Sequence, residues 1–207
     1  MTPATNPATN NATPIVVTYL RHGEPSGPPN IFRGRVDVPL TETGWQQMWR
    51  ATEQVPPATT LLSSPRSRCV AFADAWGERH GIRAHALDDL AEMDFGDWDG
   101  LTHADIRARF GPDVDAFRAD PFAVAPPNGE SLHTFIARVA RTVDTVRQQA
   151  GPILVVTHAG VMRAAIGQCL GINPGQWNRI AIGYAATARI SYLAGTDPIL
   201  LDLASNV

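Results

Sequence analysis

The chain has 207 residues, 44% of them hydrophobic, and a formal net charge of −3. That length supports one domain with a sizeable core, and the charge balance excludes a general nucleic-acid binder, which needs a broad basic face. No apolar run approaches the roughly 20 residues of a membrane span, and all 17 basic residues are arginine, which excludes Schiff-base chemistry and a P-loop lysine.

Residues 1–13 are polar, with neither a basic start nor an apolar centre. They read as a disordered tail, not a secretory signal, and residues 14–207 as a single domain. The apolar, β-branched run 15–20 predicts a buried strand. A Pro/Gly-rich loop follows over 23–39. Thr41 leads into a helix over about 43–54, which Pro56-Pro57 stops. A second strand is expected at 60–64, a helix over 66–80 and a third strand over 82–86. Region 88–128 is loop-rich, with a short helix near 102–110. The apolar stripe Leu132, Phe135, Ile136, Val139, Val143, Val146 predicts a helix over 131–149. Residues 153–157 form a fourth strand and 161–170 a helix closed by Gly171. Two late strands, near 185–193 and 198–203, suggest an antiparallel edge. Alternating strands and helices predict an α/β fold, a three-layer αβα sandwich with a mostly parallel sheet. Two distant cysteines, Cys69 and Cys169, fit a reduced, cytoplasmic protein with small core thiols.

Three strand ends carry related chemistry. The first ends in Arg21-His22-Gly23, the second in Ser63-Ser64-Pro65-Arg66-Ser67-Arg68, the fourth in Thr157-His158-Ala159-Gly160. In a parallel sheet such ends converge on one edge, where ligands bind. Two arginines, two histidines and a helix N-terminus would then share a donor-rich pocket suited to a phosphoryl group. Taken singly, a histidine after a strand is more often a hydrogen-bonding residue, and an arginine a surface ion pair of little worth. Packing needs do not explain three matching ends.

Asp88, Asp89, Glu92, Asp94, Asp97 and Asp99 crowd into twelve residues. For most of them a solvated loop is the better reading. The spacing matches no calcium loop and no histidine is interleaved, so a metal site is weaker. The third reading is a general acid, since crowded carboxylates raise one another's pKa. Glu92, among apolar neighbours, is the candidate. The tryptophans, Trp98 in this loop included, read first as core or helix-face residues, with Trp98 the alternative candidate to line the pocket and stack on an aromatic substrate base, while His80, His85, His103 and His133 are assigned to surface or loop.

These residues resemble the histidine phosphatase superfamily, with its phosphoglycerate-mutase-like fold. Arg21-His22-Gly23-Glu24 looks like the opening motif and Gly34-Arg35-Val36-Asp37-Val38-Pro39-Leu40-Thr41 like the loop after it. Ser64 to Cys69 is similar to the segment holding the second arginine. Glu92 to Gly100 resembles the acid loop, and Val156-Thr157-His158-Ala159-Gly160 the second histidine motif. The resemblance implies that His22 takes the phosphoryl group, that Arg21, Arg68 and His158 hold its oxygens, and that Glu92 donates and then accepts the proton. Arg33, Gly34, Asn30 and Ala159 are expected to bind substrate. No metal or cofactor is implied, and the partner is a small-molecule phosphate ester, with no nucleic acid and no membrane.

Within the superfamily, the compact length, Glu92 to Gly100 and Pro126-Pro127-Asn128-Gly129-Glu130-Ser131 look most like α-ribazole phosphatases, which act in cobalamin assembly. Many members carry asparagine six residues after the first histidine; here Pro28 stands there, and Asn30 or Arg33 is expected to replace it. The expected activity is therefore metal-independent hydrolysis of a phosphomonoester, with α-ribazole 5′-phosphate the foremost substrate. A broad-specificity or sugar-phosphate phosphatase is the alternative, ahead of a phosphoglycerate mutase or a non-catalytic phosphate-binding module.

Overall fold

A computed structural model describes residues 13–53 and 55–205; the expected tail lies outside them except for Thr13. The core is a six-stranded sheet in the order β3-β2-β4-β1-β5-β6. Strands β1 (Ile15–Arg21), β2 (Thr60–Ser63), β3 (Ala84–Ala86) and β4 (Ile153–Thr157) run parallel; β1, β2 and β4 are buried apolar runs, whereas β3, Ala-His-Ala at the sheet edge, is largely exposed. β5 (Thr187–Tyr192) pairs antiparallel with β1, and β6 (Ile199–Ala204) antiparallel with β5, which gives the expected antiparallel edge.

Strand residues alternate between two cores. Val17, Tyr19 and Val155 face one side, with Phe135 and Val139 of α4 (Leu132–Arg147) and Met162 and Ile166 of α5 (Ala159–Cys169). Leu20, Leu154 and Val156 face the other, with Met48 of α1 (Glu42–Thr52) and Phe72 and Trp76 of α2 (Ser67–His80). Both faces are covered, so the runs are apolar throughout rather than alternating.

Among the boundaries that differ from expectation, two bear on the site. The short helix near 102–110 continues as α3 (His103–Ala119), through a break at Phe110 whose φ of −128° and ψ of 29° are not helical. Gly111-Pro112 follows at once, and proline is tolerated in the first turn of a restarted helix. Thr102 opens α3 with a reciprocal capping box to Asp105. Helix α5 starts at Ala159, two residues before the expected start, with His158 as its cap. Its first free N–H groups therefore lie directly beside the strand end.

The register brings the three ends together. Arg21 lies opposite Thr157 and Ser63 opposite Val156. The ladder extends one residue further, with the His22 amide donating to the Thr157 carbonyl and the Ser64 amide to the Val156 carbonyl, both at 2.9 Å. His22, Ser64 and His158 thus stand side by side on one edge.

The chain turns away from β1 at Gly23, packed against the first turn of α1. A Cβ at Gly23 would fall on the Gly44 carbonyl oxygen, far inside contact distance and against backbone that cannot rotate away. Gly23→Ala should therefore force α1 from the end of β1, costing about 1–3 kcal/mol. For a chain of this length that is a fall in Tm of at least about 2 °C. Calorimetry checks it; an unchanged Tm would mean that α1 is free to shift.

Candidate active site

His22 is buried at the mouth of the sheet edge, and its Nδ1 lies 2.8 Å from the Gly23 carbonyl oxygen. A carbonyl only accepts, so Nδ1 carries the proton and Nε2 keeps its lone pair. Burial holds the ring's pKa well below its ordinary value, and the Arg21 and Arg68 guanidinium groups add to the effect. The result is a neutral imidazole with a free nitrogen. His158 sits behind it, fully buried, with ring centroids 5.2 Å apart. Its Nε2 is 2.7 Å from Ser64 Oγ, and burial, then Arg68, depress its pKa as well. Cys69 lies under His158, its Sγ 3.7 Å from Nε2. Burial pushes that thiol up to about 12 despite the adjoining Arg68, so it is the inert core thiol expected.

Arg21 and Arg68 flank the pair. Arg21 Nη1 donates to the Ile182 carbonyl at 2.7 Å, and its guanidinium lies 4.3 Å over the Tyr184 ring. Arg68 is completely buried and donates to the Arg33 and Val36 carbonyls at 2.7 and 3.0 Å. These bonds fasten the 33–37 loop over it, and Asp37 adds a tie to the Ser67 amide at 2.9 Å. In Arg21, Arg33 and Arg68 alike, Nε–H is buried and finds no acceptor among the described residues. An unsatisfied buried donor costs about 1–3 kcal/mol, so this edge is rich in donors and short of acceptors.

Glu92 closes the site from the acid loop. Its Oε1 accepts from the Met93 amide and its Oε2 from the Gly160 amide, both at 3.0 Å. The second bond places the carboxylate at the N-terminus of α5, where negative charge is favoured. A Cβ at residue 160 would overlap the carboxylate, so glycine is needed there for close approach. The expected crowding of carboxylates around Glu92 is not found, because its acidic neighbours are engaged elsewhere. Asp89 pairs with Arg141 at 2.6 Å, Asp94 accepts from the Gly96 amide at 2.9 Å, Asp97 from Asn128 at 3.0 Å, and Asp99 from the Gly34 and Arg35 amides.

What holds Glu92 is Arg138 of α4. It donates to the carbonyls of Asp89, Ala91 and Glu92 at 3.0, 2.6 and 3.0 Å, and forms a two-pronged pair with Glu130 at 2.8 and 2.9 Å. The apolar-stripe reading of this helix passed over Arg138. Its signal was a charged residue three positions after Phe135 and directly before Val139, inside the buried stripe.

A cavity of about 340 Å³ opens over His22, Arg21 and Glu92. Of the expected substrate-binding residues, Asn30, Arg33 and Ala159 line it. Arg33 reaches across to the Ser26 and Pro28 carbonyls and so braces the proline-rich loop from within. Gly34 does not line the cavity. Its amide is held by Asp99 at 2.6 Å, and its missing Cβ makes room for the Met93 carbonyl, so its role is packing. Arg68 and His158 lie beneath the floor. Trp98 takes the core reading rather than the pocket one: it is buried, 5.5 Å from Phe117 and 6.4 Å from Phe32, and the apolar wall is built from Phe32 and Phe95. His103, expected on the surface, is exposed but stands at the cavity mouth with its ring 4.7 Å from Phe32. Tyr184 and Arg163 also line it; neither is singled out by the sequence, because no motif carries them.

The comparisons with known proteins follow the same line. The model of the histidine phosphatase superfamily (branch 1) matches residues 17–202. A glucosyl-3-phosphoglycerate phosphatase of Mycobacterium tuberculosis is 32% identical over 192 residues, covering 86% of this chain and 85% of the relative. A bifunctional protein of the same organism is 28% identical over 188 residues, 88% of this chain; the match spans 51% of that relative's length. The crystal structure of the α-ribazole phosphatase of Shigella flexneri shares the fold, with a TM-score of 0.80 at 24% identity, covering 92% of this chain and 96% of that one.

Two predictions follow from the buried groups. His22 and His158 are held neutral when folded, so below about pH 6.5 the unfolded chain binds protons that the folded one refuses. Stability should fall as the pH drops from 7 to 5.5, and His158→Gln should flatten that slope; a pH-independent Tm in the wild type contradicts the reading. Arg138→Met leaves Glu130 buried without its partner, which should cost about 3–5 kcal/mol in denaturant unfolding.

Proposed function

Because the chain belongs to branch 1 of the histidine phosphatase superfamily, we propose that it is a metal-independent phosphomonoester hydrolase acting on small molecules through a phosphohistidine. The observation that carries the reading is the pair of buried, acceptor-less guanidinium N–H groups of Arg21 and Arg68 on either side of a neutral His22. A phosphoryl group supplies the missing acceptors and an electrophile to the free Nε2.

His22 Nε2 attacks phosphorus, the N–P bond forms and the P–O ester bond breaks. Protonated Glu92 gives its proton to the leaving oxygen. Water then attacks phosphorus, Glu92 takes a proton from it, and the N–P bond breaks to release inorganic phosphate and neutral His22. Arg21 and Arg68 neutralise charge that grows on the phosphoryl oxygens, and the neutral His158 serves as a hydrogen-bond donor towards them. Among the described residues no group of three or more His, Cys, Asp or Glu side chains is placed to hold a metal ion.

For the leaving group there are two readings, each supported by one wall of the cavity. The aromatic wall of Phe32, Phe95 and His103 suits a planar base, as in α-ribazole 5′-phosphate, and hydrolysis of that ester would put the enzyme in cobalamin assembly. The arginine side suits an acid-bearing ester, the kind named for the mycobacterial relative.

Phosphate release in EDTA from α-ribazole 5′-phosphate, glucosyl-3-phosphoglycerate, sugar phosphates and p-nitrophenyl phosphate tests both. Activity should survive the chelator, and His22→Ala should abolish an acid-labile phosphoenzyme; a labelled phosphoenzyme in that variant would refute the nucleophile. Glu92→Gln should slow alkyl esters by about 10²–10⁴-fold and p-nitrophenyl phosphate much less, because nitrophenolate leaves without a proton. Equal losses on both would remove Glu92 as the acid.

A further inference from the structure

Among the described residues, Arg163 is the arginine of the cavity lining whose Nη donors are taken neither by the hydrolytic machinery nor by neighbouring carbonyls. It stands one helical turn after Ala159 on α5, so the two side chains share a helix face, and both line the cavity. Its Nε donates to the Ile180 carbonyl at 2.9 Å, which fixes one edge of the guanidinium plane. Neither Nη bonds to any described residue, and no carboxylate among them lies within ion-pairing distance. The group is half-buried, and burial works against its charge.

The other arginines of the cavity are engaged. Arg21 and Arg68 border His22 and serve the phosphoryl oxygens. Arg33 is occupied with the Ser26 and Pro28 carbonyls. Glu92 is the single carboxylate of the lining, against three guanidinium groups there and a fourth beneath the floor. A phosphate dianion leaves this set with positive charge to spare. The surplus sits on the side of α5, where Gly160 also holds the proton donor.

We propose that Arg163 is a specificity-determining residue that binds a carboxylate on the leaving alcohol. The inference rests on the hydrolase reading and deepens its acid-bearing branch. The planar fork of a guanidinium with a fixed Nε and two free Nη groups matches a carboxylate edge. Glu92 is tied to the first turn of the helix that carries Arg163, so carboxylate and ester oxygen lie only a few bonds apart. The substrate class is the phosphomonoester of a short hydroxy acid, free or extended by a group that rests on the aromatic wall.

A matched pair of esters tests this: 3-phosphoglycerate and glycerol 3-phosphate, which differ by a carboxylate in place of a hydroxymethyl group, with p-nitrophenyl phosphate alongside. The ratio of kcat/KM for the acid ester to that for the neutral one should be about 10–100 in the wild type, the worth of a charge-assisted hydrogen bond. Arg163→Gln, which keeps a donor for Ile180 but no charge, should bring the ratio towards one. Arg163→Lys, which keeps the charge and loses the fork, should retain part of it. A wild-type ratio near one overturns the inference while hydrolysis of p-nitrophenyl phosphate upholds the hydrolase reading. A parallel loss on all three esters in both variants also overturns it, since Arg163 would then only brace the wall at Ile180. No hydrolysis of p-nitrophenyl phosphate by the wild type overturns the hydrolase reading, and the inference with it.

Discussion

Everything at the site depends on the pairing of β1 with β4. That register puts Arg21 opposite Thr157, and the bond from the His22 amide to the Thr157 carbonyl carries the pairing one residue past the strands. Two histidines 136 positions apart in sequence are thereby fixed with their rings 5.2 Å apart. A slip of one residue in either strand would turn His22 and His158 to opposite faces, because side chains alternate along a strand. The register is protected by two cores at once. Val17 and Tyr19 need one set of helices, Leu20 the other, and no shifted pairing satisfies both.

On this frame the electrostatics follow from burial. Guanidinium groups remain charged where an ammonium would give up its proton, so an all-arginine site keeps its field in a place that favours neutral groups. The same field, with desolvation, drives the proton from both histidines. One imidazole keeps a free nitrogen because the guanidinium groups around it cannot change their own charge state. Glu92 is treated differently: two backbone amides receive its carboxylate, and the buried Arg138–Glu130 pair fixes the backbone that carries it. Charge on one side of the cavity and fixed dipoles on the other give the site its polarity.

Strand ends were legible in the sequence because each is local: an apolar run, then arginine or histidine, then glycine or a helix start. The three-layer fold was legible for the same reason, from the alternation of runs and stripes. What could not be read depends on distant chain meeting the site. Gly34 belongs to a matching motif, yet its amide is claimed by Asp99, 65 positions later. Trp98 stands in the acid loop but turns inward against Phe117, leaving the wall to Phe32 and Phe95. His103 reaches the cavity mouth because α3 is capped at Thr102, and Arg163 because α5 begins two residues early. Arg138 was hidden by its own helix, where an apolar period drew attention to its neighbours.

The thiol under His158 has a consequence for the conditions in which such an enzyme keeps working. Oxidants act on thiolates that solvent can reach, and Cys69 is neither ionised near neutral pH nor exposed. The proposed nucleophile, His22 Nε2, offers peroxide no sulfur to attack. Phosphoryl transfer through that nitrogen, as proposed, would be insulated from oxidants that switch off a hydrolase with a cysteine nucleophile. Sulfur thus lies in contact with His158 yet out of reach of oxidants.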